Sequence, residues 1–541
     1  MIRLVAGLFA VVVWATPAWA QHEHPASGPA AEKLGRVTFA TSCSPAVRDD
    51  FNRAVALLHS FEFRHAMEGF TRVLERDDSC AIAHWGIALC HWGNPFGGVK
   101  TGPALERGLA AAQKGLSTGS PTPRERGFLE AAAALFKDSA TTPHRDRTLA
   151  YEKAMERVQR ESPDDIEARM FYALAVSQAA LLTDKTYGNQ LKAGAILEPL
   201  FEQHPEHPGL AHYIIHAYDV PALAPKALHA ARRYATIAPS APHALHMPSH
   251  TFTRVGSWKE SIETNIASER TALEQNVVGE ALHAMDYQMY AYLQSAQDKK
   301  ALAVVTRAPA VAAKLDPNVM GGAASPVAAR FSVVAIPARF ALERGAWADA
   351  AGLPLPPSSP LPFIDAITHF ARALGAARSG TPAAAKSDVE RLVALRDKLA
   401  EMKDPYWTEQ VDIQRRVAAA WVTFAEGRRD EAIQALRAAA DAEDGTDKAA
   451  ITPGPLAPAR ELLGEMLLEA GKAKDALVAF EATMKKEPNR FRGAYGAARS
   501  AEAVGDRARA ATHYRTLLEI ARDADTSRPE LERARAFIKQ S

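Results

Sequence analysis

Cysteine is scarce, with Cys43, Cys80 and Cys90 the only three among 541 residues, so one intrachain disulfide is the most the chain can form. Aromatic residues make up only 7% while alanine is abundant, which favours helices packed through small contacts over a sheet-rich fold. An excess of either charge is missing too: the formal net charge is +1, and nothing points to a nucleic-acid partner. Past residue 20 no stretch reaches the roughly 18 consecutive apolar residues that a membrane span needs. A serine or cysteine nucleophile motif, a glycine-rich phosphate loop and a dinucleotide fingerprint are all absent.

At this length a single core cannot serve the whole chain, which must be multidomain or a repeat array. The N-terminus reads as a signal peptide over residues 1–20: Arg3, a short apolar run, then Ala18-Trp19-Ala20. The expected product is periplasmic or secreted, with no membrane span after cleavage. Residues 21–44 read as a flexible leader, in which His22 and His24 are incidental. Export permits a Cys43–Cys80 bridge tying the N-terminal segment to the following helices, with Cys90 a small core residue.

Helical periodicity dominates from residue 45 onward, and it repeats. His212 and His216 form one i, i+4 pair and His246 and His250 another, each residue 34 positions from its counterpart. Gly471 and Gly505, Ala476 and Ala510, and Phe480 and Tyr514 are separated by the same interval. Two arrays follow from this spacing. Residues 45–305 carry the histidines, residues 306–363 are an irregular, proline-rich connection, and residues 364–541 form a second array. The segment from Asp441 to Pro458 is long for a helical array and is expected to fold over a groove.

The 34-residue period, the Ala66/Phe70 small–large pattern, Tyr218 and Phe252 in equivalent places, and Pro239 at a repeat end resemble the tetratricopeptide repeat. The HYIIHA and HMPSH stretches resemble more closely long exported bacterial members of that family. The resemblance implies an all-α, right-handed solenoid of helical hairpins whose first helices line a concave face. On that register His212, His216, Asp219, His246, His250, His283 and Asp286 become concave-face residues.

Imidazole and carboxylate suit zinc, copper or iron, and an i, i+4 pair supplies two ligands in fixed geometry. His212, His216, His246, His250, His283 and Asp286 are the expected ligands of a divalent transition metal, zinc foremost and copper or iron the alternatives. With Tyr213 and Met247 where a zincin would have glutamate, that mechanism is disfavoured. Should the site be catalytic, hydrolytic or oxidative, Asp219 or Asp286 would serve as base and Arg254 would steady an anion. The rival expectation is a metal-free scaffold gripping a peptide, small molecule or protein partner in the groove. His59, His84, His91, His229 and His369 read as packed residues, and His204, His207 and His243 as loop or cap residues.

Overall fold

The computed structural model describes residues 32–119, 121–316, 322–324 and 326–540. The expected signal peptide and most of the leader, His22 and His24 included, lie outside them. Among the described residues there are 26 α-helices, two short 3-10 turns and no strand, and no helix is long and apolar enough to cross a membrane.

From Lys33 onward the chain is a succession of tetratricopeptide-like helical hairpins. A repeated wedge sets the spacing. Phe70 of the helix Phe63–Arg76 lies so close to Gly86 that a β-carbon there would come within 2.3 Å of its ring, and Phe480 meets Gly496 at the same distance. The aromatic on a second helix thus fills the space left by a residue without a side chain on the next helix, and a methyl group would push the pair apart. Buried apolar side chains form three clusters, over residues 34–252 with Ala323, 258–336, and 296–537.

Residues 33–43, expected to continue the flexible leader, instead lie extended and fastened. Leu34, Val37 and Phe39 are buried, Arg36 N–H donates to the Glu206 carbonyl, and Phe39 N–H donates to Asn52 Oδ1. Three apolar residues so sparsely spaced carry neither helical nor strand periodicity, which is why the segment reads as leader. The strap ends where Cys43 bonds to Cys80.

The C-terminal helices do not trail away from the N-terminal ones. Trp258 Nε1–H donates to the Asn489 carbonyl at 2.7 Å, Arg490 to the Tyr290 hydroxyl at 2.6 Å, and Arg528 to Asp298 at 3.0 Å. Arg490 is itself fully buried, held by Glu343 at 2.7 Å and Glu461 at 2.9 Å.

Candidate metal centre

Three successive first helices carry the histidines. Pro208–Ala217 opens with proline in its first turn, where the missing N–H costs nothing, and bears His212 and His216. Pro242–His246 and Pro248–Val255 are one helix in two pieces. Pro248 has no N–H to continue the ladder, and Met247 between them keeps helical dihedrals. Together they present His243, His246 and His250. Val278–Gln294 supplies His283 and Tyr287.

The result is two adjoining groups, His212 with His216 and His243, and His246 with His250 and His283; within each, one ring nitrogen per residue lies within 4.8 Å of the others. The groups touch, with ring centroids 6.0 Å apart for His243 and His246 and 6.3 Å for His216 and His250. All six rings except the half-buried His216 are fully buried.

Proton positions follow from the acceptors. His212 Nδ1 lies 2.6 Å from the His59 carbonyl, so it carries the proton and Nε2 a lone pair. The amide of Asn265 is oriented by donating to the Ser261 carbonyl, leaving its Oδ1 to accept from His246 Nδ1 at 2.7 Å. Asp219 Oδ2 accepts from His250 Nδ1 at 2.8 Å. His246 and His250 therefore direct two Nε2 lone pairs at one another across 3.1 Å. His212 Nε2, His216 Nε2, His283 Nδ1 and both ring nitrogens of His243 are buried without a hydrogen-bond partner, the His243 Nδ1 facing Glu280 Oε2 at 3.5 Å.

Burial holds His212, His216, His246 and His283 well below the ordinary histidine range, with neighbouring imidazoles adding to the effect. Burial also lowers His250, to about 4, against the opposing pull of Asp219. These five rings are neutral imidazoles at pH 7.

Asp219 and Asp286 stand outside both groups. Burial would raise the Asp219 carboxyl, but Lys448, Arg254 and His250 outweigh it and keep the group ionised. Its oxygens are engaged by His250 and by Arg254 Nε at 2.9 Å, and Arg254 Nη2 also donates to its carbonyl. Asp219 and Arg254 thus brace a histidine. Asp286 is fully buried against Arg339, at 2.8 Å from Nε, and burial raises its carboxyl against that opposing charge.

The cover comes from far along the chain. Between the helices Arg429–Asp444 and Ala459–Glu469, the segment 445–458 crosses the histidines. Asp447 N–H donates to the Leu182 carbonyl, the Tyr287 hydroxyl lies 3.3 Å from both the Thr452 carbonyl and His250 Nε2, and Arg339 donates to the Gly454 carbonyl. At Gly454 a β-carbon would sit 2.7 Å from the Tyr290 hydroxyl oxygen, so only glycine allows this approach.

A third group, His59, Glu167 and His207, is a hydrogen-bonded network that leaves His207 Nδ1 without a partner. Glu167 accepts from His59 Nε2 at 2.9 Å and His207 Nε2 at 3.1 Å, and His59 Nδ1 accepts from the Tyr213 hydroxyl. It supports the His59 carbonyl that fixes His212.

Sequence reasoning brought five of the six histidines together and passed over His243, Tyr287, Asn265 and Lys448. His243 lies three residues before His246, a spacing that puts both on one face; the adjacent proline made it look like a loop residue. Asn265 belongs to the packed second helix of the next hairpin, and its contact with His246 leaves no trace in linear spacing.

No family model and no curated protein matches the chain. Among solved structures it is similar to one described as "Crystal structure of APC/C hetero-tetramer Cut9-Hcn1", at 12% identity over 91% of this chain and 89% of that one, with a TM-score of 0.32. It is also similar to "Structure of Naa15/Naa10 bound to HypK-THB", at 12% identity over 92% and 74%, with a TM-score of 0.23. Such scores carry nothing about function, and the hairpin architecture rests on the chain's own packing.

Proposed function

We propose that this is an exported helical-repeat protein that holds transition-metal ions in its two three-histidine groups and serves as a metal-dependent enzyme, hydrolytic or oxidative. One observation carries the reading. The His246 and His250 Nε2 atoms face each other at 3.1 Å with both ring protons committed elsewhere. Two lone pairs repel at that distance, and the Tyr287 hydroxyl, 3.3 Å from His250 Nε2, can relieve only one of them. Two nitrogens bound to one tetrahedral ion at 2.0–2.1 Å stand about 3.3 Å apart, so the contact has the spacing of a ligand pair.

His212, His216 and His243 would hold one ion and His246, His250 and His283 a second. Asp219, Asn265 and the His59 carbonyl keep the rings in the binding tautomer, the usual arrangement behind metal-bound histidine. Six imidazoles without thiolate suit zinc first, with copper or iron the alternatives. When bound, such an ion supplies a Lewis acid or a redox centre. The chain's own residues orient the rings, and segment 445–458 keeps bulk water from them. A peptide laid along the same face would have to displace that segment, which counsels against the scaffold reading. A Cys43–Cys80 disulfide suits the oxidising compartment expected from the N-terminus.

Metal analysis of protein purified without chelators tests the proposal. On the order of one to two equivalents of zinc, copper or iron are expected, falling in His246→Ala and again in His246→Ala/His212→Ala. Less than about a tenth of an equivalent, unchanged by these substitutions and not restored by dialysis against the metals, overturns it.

A further inference from the structure

Beside the histidines, on the flank of segment 445–458, lies a narrow cleft of about 60 Å³ that the metal reading does not use. One wall is apolar and aromatic: Phe363 stacks on Trp407 with centroids 4.1 Å apart and planes 6° from parallel, and Phe331 stands 6.2 Å from the same indole. Gln410 offers a side-chain amide. Such a surface, apolar with a few convergent polar groups, has the composition of a small-molecule site.

The opposite end is cationic. Lys448 lines the cleft with a side chain only 5% exposed, and its ammonium, three donors and no acceptor, has no hydrogen-bond partner. The nearest carboxylate, Asp219, stands 3.6 Å away, too far for a hydrogen bond, and is already engaged by His250 and Arg254. Arg254 lines the same end. The lining includes three cations, Arg254, Lys448 and Lys486, against the carboxylates Glu443 and Glu487, with Lys486 Nζ occupied by the Glu443 carbonyl at 3.0 Å. A buried ammonium with unused donors is costly unless something completes it.

We propose that this cleft binds a small organic acid, its carboxylate received by Lys448 and its apolar or aromatic body laid against Trp407 and Phe363. The site stands on residues outside both histidine groups, so it holds whether or not the histidines carry metal.

Phenylacetate and phenylacetamide, alike in shape and different in charge, are the probes. Isothermal titration at pH 7 on chelator-stripped full-length protein is expected to give roughly tenfold tighter binding of phenylacetate, as a charge-assisted hydrogen bond implies. Lys448→Met should erase that preference, and Lys448→Gln, which keeps a donor without the charge, should erase it as well if the first variant folds poorly. Trp407→Leu should weaken both ligands by a similar factor and leave the preference intact. Equal affinity for acid and amide, a preference that survives either Lys448 variant, or no saturable binding of either probe would overturn the proposal. Because the titration is run without metal, loss of this site and loss of the metal site are separate results.

Discussion

At the scale of single residues, the centre depends on which nitrogen of each ring keeps its proton. Asp219→Asn and Asn265→Ala leave all six imidazoles in place but loosen the hold on His250 and His246. Each should cost about 10- to 100-fold in zinc affinity, read by competition with a chromophoric chelator. Arg339 and Asp286 form a different kind of pair, fully buried and removed from the ligand groups. Arg339→Met strands a buried carboxylate and should lower stability by about 3–5 kcal/mol in chemical denaturation, whereas Arg339→Met/Asp286→Leu should recover most of the loss. The i, i+4 pairs at 212/216 and 246/250 were legible because helical spacing alone makes them neighbours. Asp286 fell on the expected register, yet its partner Arg339, 53 residues away, could not be read from the sequence.

At the scale of elements, period and glycine–aromatic complementarity made the hairpins readable, and the length of the 441–458 segment pointed to a covering role, although its first four residues, 441–444, end a helix and only 445–458 form the cover. The strap at 33–43 stayed hidden because its hold on the array is made of backbone bonds and three scattered apolar residues. The disulfide at its end closes a loop of 37 residues. Reduction should therefore lower stability by about 4 kcal/mol on the loop-entropy argument, seen as a drop in Tm on adding a reductant and absent in Cys43→Ser/Cys80→Ser. The helix Arg429–Asp444 carries a pH response of its own. Burial pushes the Glu443 carboxyl up to about 7 from its ordinary 4.5, against the opposing charge of Lys486. A raised folded value means protonation favours the folded state: this contribution is complete below about 4.5 and lost as pH rises through 7. Glu443→Gln should raise Tm at pH 8 relative to the parent and leave it nearly unchanged at pH 4.5, as followed by circular dichroism.

At the scale of the whole molecule, an open solenoid would have repeats that meet only their neighbours and could unfold piecemeal. Here Trp258 meets Asn489, Tyr290 meets Arg490 and Asp298 meets Arg528, contacts that join residues 200 or more apart in the chain. Far-UV circular dichroism and tryptophan fluorescence should then report one coincident thermal transition, where a linear array would give separated ones. These long-range contacts were the least legible part of the fold, since the same local pattern serves a straight array and a closed one. Segment 445–458 also gives the protein a chronology. About 165 residues separate His283, the last of the six histidines, from Lys448 in the cover. At 5–20 residues per second, ribosomes complete the ligand set roughly 10–30 s before the segment that shuts it exists. During that interval the nascent chain has every imidazole and no cover, so on the proposed metal reading the six rings exist before anything shields them.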